Sequence, residues 1–277
     1  MEHTNLYIDG TWRDGSDGQR FDVINPASET TLASVASATL DDARVALDAA
    51  EAAFADWAAR TPRDRSEVLR KAWELMVARQ EEFAHLITLE NGKARADAMG
   101  EAAYAAEFFR WFSDEAVRVD GMISHAPASG ARIIVQHKPA GLAVLVTPWN
   151  YPAAMGTRKI APALAAGCTM ILKPSEESPL DAMIFAEVLH KAGVPAGVFN
   201  LVNGYGPVVG EAMSQHPGID MMSFTGSTRG GIAVARGAAD TVKRVSQELG
   251  GKSANIILKD TDIAAAVTEG VHYMMGN

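Results

Sequence analysis

Apolar positions along the chain change their spacing twice, and each change marks a different kind of element. The first forty residues read as short strands and turns. Leu6–Ile8 and Thr11-Trp12 flank Asp9-Gly10, a pair suited to closing a hairpin, and Asn25-Pro26 marks a second turn. The spacing then becomes helical. Thr39 with Asp42 three residues on reads as a helix start, followed by an apolar face of Val45, Leu47, Ala50, Phe54 and Trp57. Thr61-Pro62 with Asp64 opens a second helix, which Leu69, Trp73, Met76 and Val77 continue and Asn91-Gly92 ends. A third helix is predicted over 94–117, with Tyr104, Phe108, Phe109 and Trp111 as a core-facing cluster.

The rhythm changes again near residue 142. Short, almost wholly apolar runs (142–146, 169–172, 199–202, 221–224 and 242–245) alternate with helical stretches near 152–166, 179–192, 207–215 and 227–239. Strands apolar on both faces, joined by crossover helices, predict an α/β fold with a doubly wound parallel sheet of Rossmann-like type and flanking helices. Residues 118–140 read as an excursion, with an extended strand over 131–138. The expected division is a cofactor-binding domain of 1–117 and 141–249, an oligomerisation excursion of 118–140, and the start of another domain at 250–277.

Composition narrows the function. Twenty-five basic against 34 acidic side chains leave a formal net charge of −9, which argues against a phosphate backbone as partner. Cys168 is the single cysteine, so no intrachain disulfide forms and a reducing compartment fits best. No apolar run is long enough to span a membrane, and residues 1–10 lack the apolar stretch of a signal peptide. The expectation is a cytoplasmic protein with no membrane or nucleic-acid partner and no bound metal.

Doubly wound sheets bind ligands beyond the C-terminal ends of their strands. Past the first parallel strand, Asn150 sits in a loop stiffened by Pro148 and Pro152. Its amide suits donation to a developing oxyanion, or an Asx turn. Past the second, Lys173 and Glu176 suit ribose hydroxyls, or an exposed ion pair. Past the fourth, Gly226-Ser227 opens a helix whose N-terminus suits an anion, or is a simple cap. Past the fifth, Glu248 stands beside Gly250-Gly251, as a general base on water or a surface carboxylate. Lys159, on the first crossover helix, reads as a proton donor or a solvated lysine. Cys168 reads as a buried structural thiol.

Six stretches together carry a resemblance: TLENGK at 88–93, VTPWNYP at 146–152, KIAPALAAGC at 159–168, ILKPSE at 171–176, SFTGST at 223–228 and ELGGKSANII at 248–257. In this order they resemble the aldehyde dehydrogenase superfamily, across essentially the whole chain. The resemblance implies NAD-dependent oxidation of an aldehyde to an acid, with NADP possible. It implies catalytic roles for Asn150 (oxyanion), Glu248 (base on water) and Lys159 (proton relay). Cofactor contacts are implied for Thr147, Pro148, Trp149, Lys173, Ser175, Glu176, Gly206, Phe224, Thr225, Gly226, Ser227 and Leu249. A homodimer or homotetramer is implied for the full-length form. The family's nucleophilic cysteine would follow the segment matching 274–277, so the nucleophile and most of the catalytic domain are expected to be absent. A non-catalytic nucleotide-binding module remains the alternative. Glu248 speaks against an acylating relative that passes its thioester to coenzyme A.

Overall fold

The computed structural model describes residues 3–276. The hairpin at the start forms as the Asp-Gly signal requires, with β1 (Leu6–Ile8) antiparallel to β2 (Thr11–Arg13). A second hairpin joins β3 (Arg20–Ile24) and β4 (Thr31–Ala36). Four helices follow: α1 (Leu40–Ala59), α2 (Pro62–Ala78), α3 (Gln80–Asn91) and α4 (Arg95–Glu115). Both predicted helix starts are capping boxes, Thr39 with Asp42 and Thr61 with Asp64. The helix expected to run unbroken to Asn91 is instead two. It breaks at Arg79, whose backbone leaves the helical region and whose guanidinium pairs with Glu82 and Glu187, each at 2.7 Å.

The aromatic cluster on α4 also differs from expectation. Phe109 is fully buried, but Tyr104 is 50% and Trp111 65% exposed. Helical geometry explains the split: positions 104, 108 and 111 share one face, and Phe109 lies about 100° round from Phe108. The excursion is a small hairpin, β5 (Met122–His125) with β6 (Arg132–Val135), and its Ile123 and Ile134 are exposed.

The remainder is the doubly wound unit. Its strands are β7 (Leu142–Val146), β8 (Thr169–Lys173), β9 (Phe199–Leu201), β10 (Met221–Thr225) and β11 (Arg244–Glu248). Between them run α5 (Pro152–Ala166), α6 (Leu180–Ala192), the short α7 (Glu211–Gln215) and α8 (Thr228–Ala239); α9 (Ile263–Met275) follows. All five strands are parallel, in the order β11-β10-β7-β8-β9, and β1 and β2 extend the β9 edge antiparallel. The last strand begins two residues later than predicted. Val242 adopts φ 52° and is 89% exposed, outside the sheet, so Glu248 ends the strand rather than following it.

Strand alternation divides the core into two layers. Ala143, Leu145, Met170 and Leu172 face α2, α4, α5 and α6, while Leu142, Val144, Val146 and Ile171 face α1, α7 and α8. The chain leaves β7 towards β8 and β9, then returns on its other side to β10 and β11. The switch point therefore lies between β7 and β10. Among the described residues no helix is long and apolar enough to cross a membrane, and no cluster of three or more His, Cys, Asp or Glu is placed to hold a metal.

Helix α6 lacks a side-chain cap of its own. Buried Glu90, at the end of α3, accepts from the amides of Leu180 and Asp181 at 2.8 and 3.2 Å. Burial pushes Glu90 up to about 8 and raises the adjacent buried Asp181 as well. Between about pH 4.5 and 8 the folded pair therefore holds more protons than the unfolded chain. The sign follows: this contribution to stability is complete below the carboxylate's ordinary range and is lost as pH rises towards 8. Denaturant unfolding at pH 5, 6.5 and 8 is expected to show the loss, on the order of a few kcal/mol. Glu90→Gln, which keeps an acceptor but cannot ionise, is expected to flatten it. An identical slope in wild type and variant would contradict this.

Candidate active site at the sheet switch point

Register brings the C-terminal strand ends to one rim. Val146 stands opposite Lys173 on one side and Phe224 on the other, and Thr225 stands opposite Glu248. Backbone bonds extend the alignment past the strands: Thr147 N donates to Lys173 O at 3.1 Å, and Gly226 N to Glu248 O at 3.0 Å. A cleft of about 640 Å³ opens here. Of the expected contacts it gathers Lys173, Gly206, Phe224 and Ser227. It also gathers Pro207, Glu211, Arg229 and Arg236, which the sequence reading did not single out. For Pro207, Glu211 and Arg229 the signal was positional, because each lies in the first turn of a helical segment after a parallel strand; Arg236, in the last turn of α8, had none.

Ser227 caps α8, accepting from Gly230 N at 3.1 Å. The amides of Thr228 and Arg229 keep no intrahelical acceptor and carry the positive end of the dipole. The Phe224 ring packs directly on this turn. A Cβ at Gly226 or Gly230 would fall 2.8 or 2.7 Å from its Cζ, so glycine is what lets ring and helix start meet. The Thr225 hydroxyl is buried with no protein partner among the described residues.

Lys173 is buried; its Nζ donates to Pro174 O at 2.7 Å and to Glu176 at 3.1 Å. Burial lowers its pKa, and the Glu176 charge partly restores it. Ser175 is buried, and its Oγ accepts from Glu177 N at 3.3 Å. Lys173 and Glu176 form an ion pair at the mouth of the cleft, with the lysine buried where an exposed pair was expected.

Asn150, Trp149 and Pro148 form the loop after β7, outside the lining of the cleft. Trp149 is 54% exposed. Among the described residues only the backbone carbonyl of Asn150 is engaged, by Lys93 Nζ at 3.2 Å. The side-chain amide does not close the Asx turn. Lys159 is buried on α5 and reaches β10, its Nζ bonding Ser223 Oγ at 2.7 Å. Burial lowers its pKa to about 8, with the charge of Glu248 opposing the shift. The solvated-lysine alternative fails at this position. Glu248 and Leu249 are exposed at the end of β11. Cys168 is 4% exposed, and burial pushes its thiol up. It precedes β8, so the five residues of that strand separate it from the rim by roughly 16 Å. The reading of Cys168 as structural fits this place.

Relatives share the architecture. The model of the aldehyde dehydrogenase family matches residues 12–277. The succinate-semialdehyde dehydrogenase [NADP(+)] of Escherichia coli is 44% identical over 272 residues, covering 96% of this chain and 56% of that protein. A glutarate-semialdehyde dehydrogenase of Pseudomonas aeruginosa is 42% identical over 261 residues, covering 94% and 54%. The crystal structure of an aldehyde dehydrogenase of Pseudomonas syringae with NAD+ and octanal superposes with a TM-score of 0.92 at 48% identity, covering 98% of this chain and 56% of that one. The chain spans about half the length of the relatives it matches. With the motifs, the parallel sheet and a match over nearly every residue in agreement, the chain belongs to the aldehyde dehydrogenase family.

Proposed function

We propose that this chain forms the cofactor-binding part of an enzyme that oxidises an aldehyde to a carboxylic acid with NAD, NADP being a weaker alternative. One observation carries the reading: the switch-point cleft joins Lys173, Gly206, Phe224 and Ser227 at the open N-terminus of α8. A dinucleotide fits the residues present. The glycine-lined helix start suits its pyrophosphate, and the Lys173–Glu176 pair suits its ribose hydroxyls. Bound there, the cofactor supplies the hydride acceptor. The protein's own residues do the rest. Asn150 donates to the oxyanion formed when a thiolate adds to the aldehyde, Glu248 takes a proton from the hydrolytic water, and Lys159 relays protons beneath the site.

Glu176 sets the cofactor preference. A 2′-phosphate would stand against its carboxylate, at a cost of about 5–100-fold in affinity. Calorimetric titration of the chain is expected to show NAD binding more tightly than NADP, with Glu176→Gln narrowing the ratio. Tighter NADP binding to the wild type would overturn the preference, and no binding of either would overturn the function.

The substrate we assign is an aldehyde with an anionic tail. Two relatives are named for succinate and glutarate semialdehydes, which carry a carboxylate. Arg158, unnoticed in the sequence beside Lys159, is exposed on α5, with its guanidinium 5.7 Å from the Phe108 centroid. Tyr104, Phe108, Trp111 and Phe112 line a hollow on the α4 side of that ring, with the Glu107 carboxylate in the same lining paired to Arg110. In the active enzyme Arg158→Met is expected to raise KM for such an acid aldehyde about 10–100-fold. KM for an uncharged aldehyde of equal length should hold. An equal rise for both would exclude the assignment.

A further inference from the structure

The stretch Thr88–Lys93 resembles the family yet touches no part of the cleft. Its side chains reach elsewhere. Asn91 Nδ2 donates to the carbonyl of Trp149 at 2.7 Å. Lys93 Nζ donates to the carbonyl of Asn150 at 3.2 Å and lies 3.6 Å from the centroid of the Tyr151 ring. The same ammonium pairs with Glu101 of α4 at 2.5 Å, and both side chains are buried, at 1% and 0% exposure. The second oxygen of Glu101 accepts from the amides of Ala153 and Ala154 at 3.0 and 3.2 Å. These belong to the first turn of α5, which has no side-chain cap of its own. Three side chains from α3, the turn after it and α4 thus hold four backbone groups of 149–154.

A buried ion pair is a poor source of net stability, because desolvation offsets the attraction. Its directional bonds are another matter. Lys93 and Glu101 satisfy each other and still aim one donor and one acceptor at the loop. We propose that Asn91, Lys93 and Glu101 are positioning residues that lock the Trp149–Asn150 backbone and thereby orient the Asn150 side-chain amide. The catalytic meaning rests on the reading of Asn150 as oxyanion donor; the clamp itself rests on the geometry alone. With both flanking carbonyls and the following helix start pinned, the Asn150 amide has only its own side-chain torsions left to vary. Such preorganisation is what an oxyanion donor requires, since the loop need not reorganise as charge develops. Among the described residues no acceptor consumes the donors of the Asn150 amide.

Backbone amide exchange on the isotopically labelled chain tests the clamp without cofactor or substrate. Asn91→Ala and Lys93→Met are compared with Ile87→Val, a core change in α3 chosen to lower stability without touching the clamp. Exchange over residues 149–154 is expected to accelerate about tenfold beyond that control in both clamp variants. The Asn150 side-chain amide resonances should shift only in those two. Should Lys93→Met fail to fold, Asn91→Ala decides alone, because Asn91 is only partly buried. Acceleration over 149–154 no greater than in Ile87→Val, or unmoved Asn150 resonances, would overturn the clamp. NAD titration of the wild type is read separately. Absent binding would remove the cofactor reading while exchange still judges the clamp.

Discussion

Glu248→Gln, placed in an active enzyme that contains this chain, is expected to cut steady-state turnover about 10²–10⁴-fold, the usual scale of a lost general base. The substitution keeps size and hydrogen bonding but loses proton affinity. Two half-reactions follow thiolate attack, and only the second needs a base on water. A first burst of reduced cofactor should therefore survive in rapid-mixing experiments while later turnovers collapse. The carboxylate stands at the C-terminal rim of the sheet, at the end of β11. Its backbone is tied to Gly226 at the rim, its side chain is exposed, and a Cβ at Gly250 or Gly251 beyond it would meet no described residue within 4 Å. Loss of the burst itself would move Glu248 to the first half-reaction and contradict the assignment.

Asn150→Ala in the same enzyme is expected to slow the burst itself about 10²–10³-fold, the range for removal of one oxyanion donor. The oxyanion forms before hydride leaves, so the first turnover carries the defect. Cofactor affinity should change little, because the Asn150 side chain lies outside the cleft lining. A burst of normal rate with slow later turnovers would assign Asn150 to hydrolysis instead. The two variants are thus separated by which phase they slow, whatever their totals.

Much of this arrangement was legible from local signals. The hairpin at Asp9-Gly10, the capping boxes at Thr39 and Thr61, and the apolar parallel strands β7, β8 and β9 each rest on neighbours in sequence, and each formed as read. Misreadings arose where distant groups decided. Arg79 interrupts an otherwise continuous helical pattern because Glu187, over a hundred residues on, offers a partner. Tyr104 and Trp111 looked like core because they are aromatic, but helical phase turns them outward. Val242 looked like strand because it is β-branched, yet its positive φ puts it in the preceding turn. In the candidate site, residues at strand ends were readable from the crossover rule. The contacts of Lys93 and Glu101 with the Asn150 loop were not, because nothing local shows that α4 supplies the cap of α5. Nor was Lys159's bond to Ser223, which joins residues 64 apart in sequence.

Protection mapping decides whether the sheet switch point is a dinucleotide site. Amide exchange of the chain with and without saturating NAD is expected to show protection concentrated at 173–176 and 224–230, beside the cleft and at the start of α8. Tyr7, Trp12 and His190, which border a separate hollow of about 380 Å³ by the β2 edge, should be unaffected. Protection at that edge instead, or no protection anywhere at millimolar NAD, would contradict the account.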